Sequence, residues 1–217
     1  MTALDAENAA TPRSARFWDR IADRYARMPV ADDAAYQRKL DITRQYLRPH
    51  MAVLEFGCGT GSTALAHAPY VRSILATDIS ARMLEIARAK AEARRIGNVT
   101  FRRTGIDDLE AAPESFDAIL GMSILHLLDD RDAVIAKVHR LLKPGGCFVS
   151  STACLGDFMR WFGLVAPVGR ALGLLPRVTV FTERDLVAGL TAQGFRIAEH
   201  WRPSRKQAVF VVATKPA

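Results

Sequence analysis

The chain has 217 residues, enough for one domain, and its 49% hydrophobic and 24% charged residues exclude a disordered polypeptide. A formal charge of +7 favours a polyanionic partner, either nucleic acid or an anionic membrane surface, and by itself says nothing about fold. Cys58, Cys147 and Cys154 are odd in number and lack metal-ligand or CxxC spacing, so they read as reduced thiols of a cytosolic protein with no metal site.

In chain order, residues 1–10 carry Asp5 and Glu7 without a basic start and apolar run, which predicts a flexible tail and no signal peptide. Residues 11–48 hold two helical patterns, 12–28 and 33–47, parted by Pro29. Thr11 is placed to cap the first, with Pro12 where a missing N–H costs nothing. Within it Arg13, Arg16, Arg20, Arg24 and Arg27 share one narrow sector beside Phe17, Trp18, Ile21, Tyr25 and Met28. Such a stripe is what an interfacial helix presents to anionic lipid, or else it is a solvated face balanced by Asp19 and Asp23.

From 51 to 152 short apolar runs alternate with helical patterns, the signature of βαβ units around a parallel sheet. Strands are predicted at 52–56, 73–78, 99–103, 116–120 and 147–151. Ser80 starts a helix that runs to Arg95 and that Gly97 ends, and a second helix spans 129–142 before Pro144, Gly145 and Gly146. An apolar segment follows at 155–180. The interruptions at Arg160, Pro167 and Arg170 leave it short of a membrane span. Residues 182–217 then read as a helix capped by Thr182 and two strands near 195–200 and 208–214.

Gly57, Gly59 and Gly61 follow the first strand directly and precede a helix, so backbone there can approach a ligand closely. The spacing is GxGxG with Glu55 two residues before it, not the GxGxxG of nicotinamide enzymes. Asp78 ends the second strand, where a carboxylate can accept hydrogen bonds from both ribose hydroxyls or, alternatively, cap a helix.

On the Glu55–Gly61 loop, Asp78, the run 116–128 and Leu142-Lys143-Pro144-Gly145-Gly146, the chain resembles the class I S-adenosylmethionine methyltransferases over about residues 50–152. The resemblance implies a single α/β domain with a Rossmann-like seven-stranded sheet, mostly parallel with an antiparallel last strand. It adds N-terminal helices and a helical insertion after the fifth strand. It also implies S-adenosyl-L-methionine as cofactor, contacted by Tyr25, Glu55, Gly57, Cys58, Gly59, Thr60, Gly61, Asp78, Ile79, Met83, Gly105, Ile106, Gly121 and Met122. The family often carries an acid after the third strand where this chain has Gly105, so adenine contact falls to Gly105 and Ile106, and Asp107 stays unassigned.

Methyl transfer from a sulfonium chiefly needs alignment of nucleophile and methyl group and exclusion of water. For any proton transfer His126, after the fourth strand, and Tyr25 are the candidates, each also readable as a structural side chain. Trp18, Arg160, Trp161, Arg170 and Arg177 are candidate substrate or membrane contacts. The arginine stripe and apolar lid resemble the bacterial phospholipid N-methyltransferases, implying methylation of phosphatidylethanolamine to phosphatidylcholine at the inner membrane surface. A methyltransferase for a quinone or other small apolar metabolite is the alternative, and an NAD-dependent oxidoreductase or a cofactor-free membrane module is more remote. No aromatic-basic motif of an RNA binder is present, so no nucleic-acid partner is expected. Oligomeric state has no signal in the pattern.

Overall fold

The computed structural model describes residues 13–159 and 178–217. The apolar runs form β1 (Ala52–Phe56), β2 (Ser73–Asp78), β3 (Val99–Arg103), β4 (Phe116–Met122), β5 (Leu142–Thr152), β6 (Arg196–Trp201) and β7 (Val209–Thr214). They join in one seven-stranded sheet of order β3-β2-β1-β4-β5-β7-β6. The first five strands pair in parallel, and β7 is antiparallel to both β5 and β6. This is the mixed Rossmann-like sheet that the sequence resemblance implied.

The helices are α1 (Arg13–Arg27), α2 (Asp33–Tyr46), α3 (Ser62–His67), α4 (Ala81–Ala93), α5 (Arg131–Leu141) and α6 (Glu183–Ala192). Strand alternation divides the core into two layers. On one face Leu54, Phe56, Ile119 and Phe148 meet Val134, Ile135 and Val138 of α5 and Leu186 and Leu190 of α6. On the other Val53, Leu120, Val149 and Phe210 meet Ala64 of α3 and Leu84 of α4. Each fully buried Leu or Phe contributes roughly 1.5–3 kcal/mol, which explains why the strands are apolar on both sides.

Side chains start these helices, at Ser80 as expected and at Asp32 in addition, while the expected Thr11 cap lies outside the described residues. Ala35 N–H donates to Asp32 Oδ1 at 2.9 Å, and Met83 N–H donates to Ser80 Oγ at 3.1 Å. The Ser80 hydroxyl in turn donates to Asp19 Oδ1 at 2.6 Å, and Arg82 pairs with Asp23 at 2.7 Å, so α1 docks on the N-terminal end of α4. Asp19 and Asp23 thus bond across to α4, Asp23 also feeling the charge of Arg27, while Arg16, Arg20, Arg24 and Arg27 are exposed.

Several boundaries differ from the sequence reading. The helix after Ser80 ends at Ala93, not Arg95, and its stop is not Gly97. Arg95 takes the left-handed conformation (φ 54), while Ile96 N–H donates to the Ala91 carbonyl and Arg95 N–H to that of Glu92. Those two bonds close the helix end whichever residue supplies the left-handed turn, and here a non-glycine bears its cost. The next helix starts at Arg131, not at Asp129, since Asp130 accepts the capping bond from Ala133 N–H. β5 begins at Leu142, before the Pro-Gly-Gly turn, with an irregularity where Phe116 pairs Leu142 and Ala118 pairs Cys147. Most of the apolar insertion, 160–177, lies outside the described residues.

Candidate active site

The strand order reverses between β1 and β4, and at such a switch point the loops leaving the strands' carboxyl ends diverge and open a crevice. That is where the glycine loop sits. Cys58 N–H donates to the Thr77 carbonyl at 2.9 Å, tying the loop to the end of β2. Gly57 and Gly59 have φ of +64° and +52°, a region that favours glycine. A Cβ on Gly59 would point at the Tyr25 ring, 4.0 Å from Cε1, so this backbone forms an open cradle under an aromatic cover.

Asp78 lies on the crevice wall beside that loop. Its Oδ2 accepts from Gly59 N–H at 2.8 Å and its Oδ1 from Ser80 N–H at 2.9 Å. Burial raises its pKa, against the pull of those amides. Each carboxylate oxygen keeps a further acceptor site for a ligand hydroxyl. Across the crevice Tyr25 of α1 is 46% exposed and meets Trp18 edge to face at 6.4 Å. Burial, then the Asp78 charge, raises the Tyr25 phenol above its ordinary value, so it remains a neutral cover.

The rest of the wall comes from the segments that follow β2 and β3 and from the end of β4 with its loop. Ile79, Met83, Gly105 and Ile106 form one side, and Met122, Ser123 and Ile124 the other. Ser123 holds φ 57, stabilised by a 2.7 Å bond from its N–H to the Ser151 carbonyl. A left-handed serine at a ligand-facing turn is backbone strain stored at a site. The charged residues lining the crevice are Asp78, Asp107 and Asp129, and no Lys or Arg joins them among the described residues. Burial, then Asp108, raises the Asp107 pKa. An acidic, apolar-walled crevice favours a cation carrying hydroxyl groups and disfavours a pyrophosphate.

Of the residues expected to contact cofactor, Tyr25, Gly57, Gly59, Asp78, Ile79, Met83, Gly105, Ile106 and Met122 line the crevice. The others turn away from it. Glu55 is buried beneath the loop and bonded to the Ala64 N–H, its carboxyl pushed up to about 8 by burial. Cys58 is buried with its thiol raised well above the ordinary value by burial, and Thr60 Oγ1 accepts from Lys90 Nζ at 2.8 Å. Gly61 and Gly121 serve packing. A Cβ on Gly61 would lie 2.9 Å from Ala87 Cβ, and one on Gly121 2.7 Å from Phe56 Cζ.

His126, expected as a proton-transfer group, is not part of the wall, where its turn presents Leu127 and Leu128 instead. Its carbonyl accepts from Thr179 N–H at 2.8 Å, and burial lowers its imidazole to about 4. Trp18, expected at the substrate or membrane, lines the crevice. Arg160, Trp161, Arg170 and Arg177 lie outside the described residues. Asp107, left unassigned by the sequence, also lines the crevice, as do Ser14, Thr104 and Asp129, which were missed. Asp107 and Asp129 had a legible signal, an acid in the loop after a strand, whereas Ser14 had none.

Residues 53–146 match the family model for a methyltransferase domain. The chain is 33% identical over 102 residues to the uncharacterized methyltransferase YcgJ of Bacillus subtilis, covering 47% of this chain and 40% of that protein. It is 33% identical to a ubiquinone biosynthesis O-methyltransferase of Cereibacter sphaeroides, over 47% of this chain and 41% of that one. With a demethylmenaquinone methyltransferase of Tropheryma whipplei it shares 38% identity, over 63% of this chain and 54% of the relative. The crystal structure of YcgJ superposes with a TM-score of 0.69 at 19% identity, over 83% of this chain and 99% of that one, a likeness of fold. The chain thus spans less than two thirds of the length of these curated relatives.

Proposed function

We propose that the chain is a class I S-adenosylmethionine-dependent methyltransferase whose acceptor is a small apolar molecule of the quinone kind. The observation that carries the cofactor is the acidic crevice, in which a glycine cradle and the Asp78 carboxylate share one hydrogen bond and, among the described residues, no Lys or Arg lines the wall. A sulfonium nucleoside brings a positive charge and a ribose diol, and it has no phosphate to satisfy. Nicotinamide cofactors carry a pyrophosphate, which the Asp78 and Asp107 carboxylates would repel.

When bound, the cofactor supplies a methyl group on a sulfonium, transferable by in-line displacement. Gly57 and Gly59 would hold its methionine and ribose portions, and Asp78 would accept from the ribose hydroxyls. Ile79, Met83 and Ile106 offer apolar surface to the adenine. Tyr25 and Trp18 cover the crevice and exclude water, which strengthens every polar contact inside. His126, neutral and off the wall, is not placed to remove a proton.

The apolar acceptor is supported by Met122, Ile124, Leu127 and Leu128 on the wall, and by relatives that methylate quinone precursors. Phosphatidylethanolamine fits less well, because relatives whose names give an acceptor include these quinone enzymes. No helix of the described residues is long and apolar enough to cross a membrane. The exposed arginines of α1 beside the half-buried Phe17 and Ile21 support contact with an anionic membrane surface, into which an apolar acceptor partitions.

Calorimetric titration with S-adenosylmethionine tests the cofactor. Binding is expected for the chain, with at least a tenfold loss in Asp78→Ala, about 1.4 kcal/mol or more. Absence of heat with the unaltered chain overturns the proposal. Incubation with methyl-labelled cofactor and either a demethylated quinol or phosphatidylethanolamine vesicles decides the acceptor, and label in the phospholipid alone reverses the preference.

A further inference from the structure

We propose that Lys39 recognises the acceptor, an aromatic hydroxyl bound as its phenolate; this rests on the methyltransferase reading above. Lys39 lies on α2, outside the glycine loop and the Asp78 wall. Its Nζ donates to Ser151 Oγ at 2.9 Å, and Ser151 is buried near the carboxyl end of β5. Ser151 stands opposite Met122 in the strand register, and its carbonyl accepts from Ser123 N–H at 2.7 Å. Met122 and Ser123 line the crevice. Ser151, which holds the ammonium, is thus one strand over from the crevice wall at Met122, on the side away from β2 and Asp78.

The amine is half-buried and burial lowers its pKa, with Asp32 alone opposing. That carboxylate is already engaged: Oδ1 accepts from Ala35 N–H at 2.9 Å and Oδ2 from Gln207 Nε2 at 2.7 Å. Among the described residues Lys39 thus gives one of its three donors, to a neutral hydroxyl. A partly desolvated ammonium without a bonded counter-ion costs stability, an arrangement that marks functional sites. Beside an apolar wall it suits an aromatic ring bearing an anionic oxygen.

The chemistry balances without a further reagent. The acceptor hydroxyl releases its proton to water, helped by the ammonium, which lowers the hydroxyl's pKa. The phenolate then forms a bond to the methyl carbon as the sulfur–carbon bond breaks. Its electron pair stays on sulfur, and the products are a methylated aromatic and a neutral thioether.

The test uses the full chain with S-adenosylhomocysteine and 4-nitrophenol, whose phenolate is yellow. Opposite charge at close range shifts an acid by about one pKa unit or more. Protein-bound dye is thus expected to have about a tenfold higher phenolate-to-phenol ratio than free dye at the same pH. Lys39→Met is expected to abolish that excess and Lys39→Arg to keep most of it, while both bind S-adenosylhomocysteine as the unaltered chain does. An equal excess in Lys39→Met, or no dye binding by a chain that binds S-adenosylhomocysteine, overturns the assignment of Lys39. Failure to bind S-adenosylhomocysteine instead removes the methyltransferase reading.

Discussion

Replacing Glu55 with glutamine should stabilise the protein at neutral pH and leave cofactor affinity nearly unchanged. The carboxyl is 1% exposed, accepts one bond from the Ala64 N–H, and its Oε2 has no partner. Burial raises its pKa from 4.5 to about 8, so the folded chain holds it neutral while the unfolded chain ionises it. A group with a raised folded value contributes fully below pH 4.5, and that contribution is lost as pH rises through 8. At pH 7 the loss is on the order of 3 kcal/mol, an upper bound because water reaches buried carboxyls by local relaxation. Glutamine keeps the carbonyl acceptor for Ala64 and has no proton to lose. Urea unfolding of both proteins between pH 4.5 and 8.5 should show midpoints that agree at the acid end and diverge upward. Parallel midpoints across that range would refute the buried neutral carboxyl. A tenfold fall in cofactor affinity would instead return Glu55 to the binding site.

His67 gives the opposite slope. It is fully buried, neither ring nitrogen has a partner among the described residues, and burial, then Arg44, lowers its pKa from 6.5 to about 4. Its contribution is intact above pH 6.5 and lost as pH falls through 4, by up to about 3 kcal/mol; His67→Leu should flatten that acid limb in urea titrations. Gly121→Ala sets a Cβ 2.7 Å from Phe56 Cζ and should cost about 1–3 kcal/mol, read as a lowered Tm with cofactor affinity kept once folded. Lost affinity at an unchanged Tm would contradict the packing role. Changing Arg16, Arg20, Arg24 and Arg27 together to glutamine should release the protein from anionic vesicles in a flotation assay while sparing cofactor binding. Equal flotation of both forms would remove the membrane contact.

The strands were legible because a sheet covered on both faces needs short uninterrupted apolar runs, and 52–56, 73–78 and 99–103 appear as read. Asp78 and Gly59 were legible for a related reason, since a strand-end acid and a glycine turn each solve a local backbone problem. Glu55, Cys58 and Thr60 do not line the crevice, because one-dimensional proximity to that turn does not say which way a side chain points. β1 ends by burying Glu55 under α3, and Thr60 is claimed by Lys90, thirty residues on. Arg95 shows the same limit: the two bonds closing α4 impose a left-handed turn before the glycine is reached.

The sequence by itself determined the alternation of strand and helix, the glycine cradle and the strand-end acid, because these depend on neighbours a few residues apart. Only the tertiary structure decided that α1 folds back through Asp19 and Asp23 to roof the crevice, and that Lys39 reaches Ser151 across 112 positions. Such contacts join segments whose meeting is set by the sheet order, and no local period or motif encodes that order.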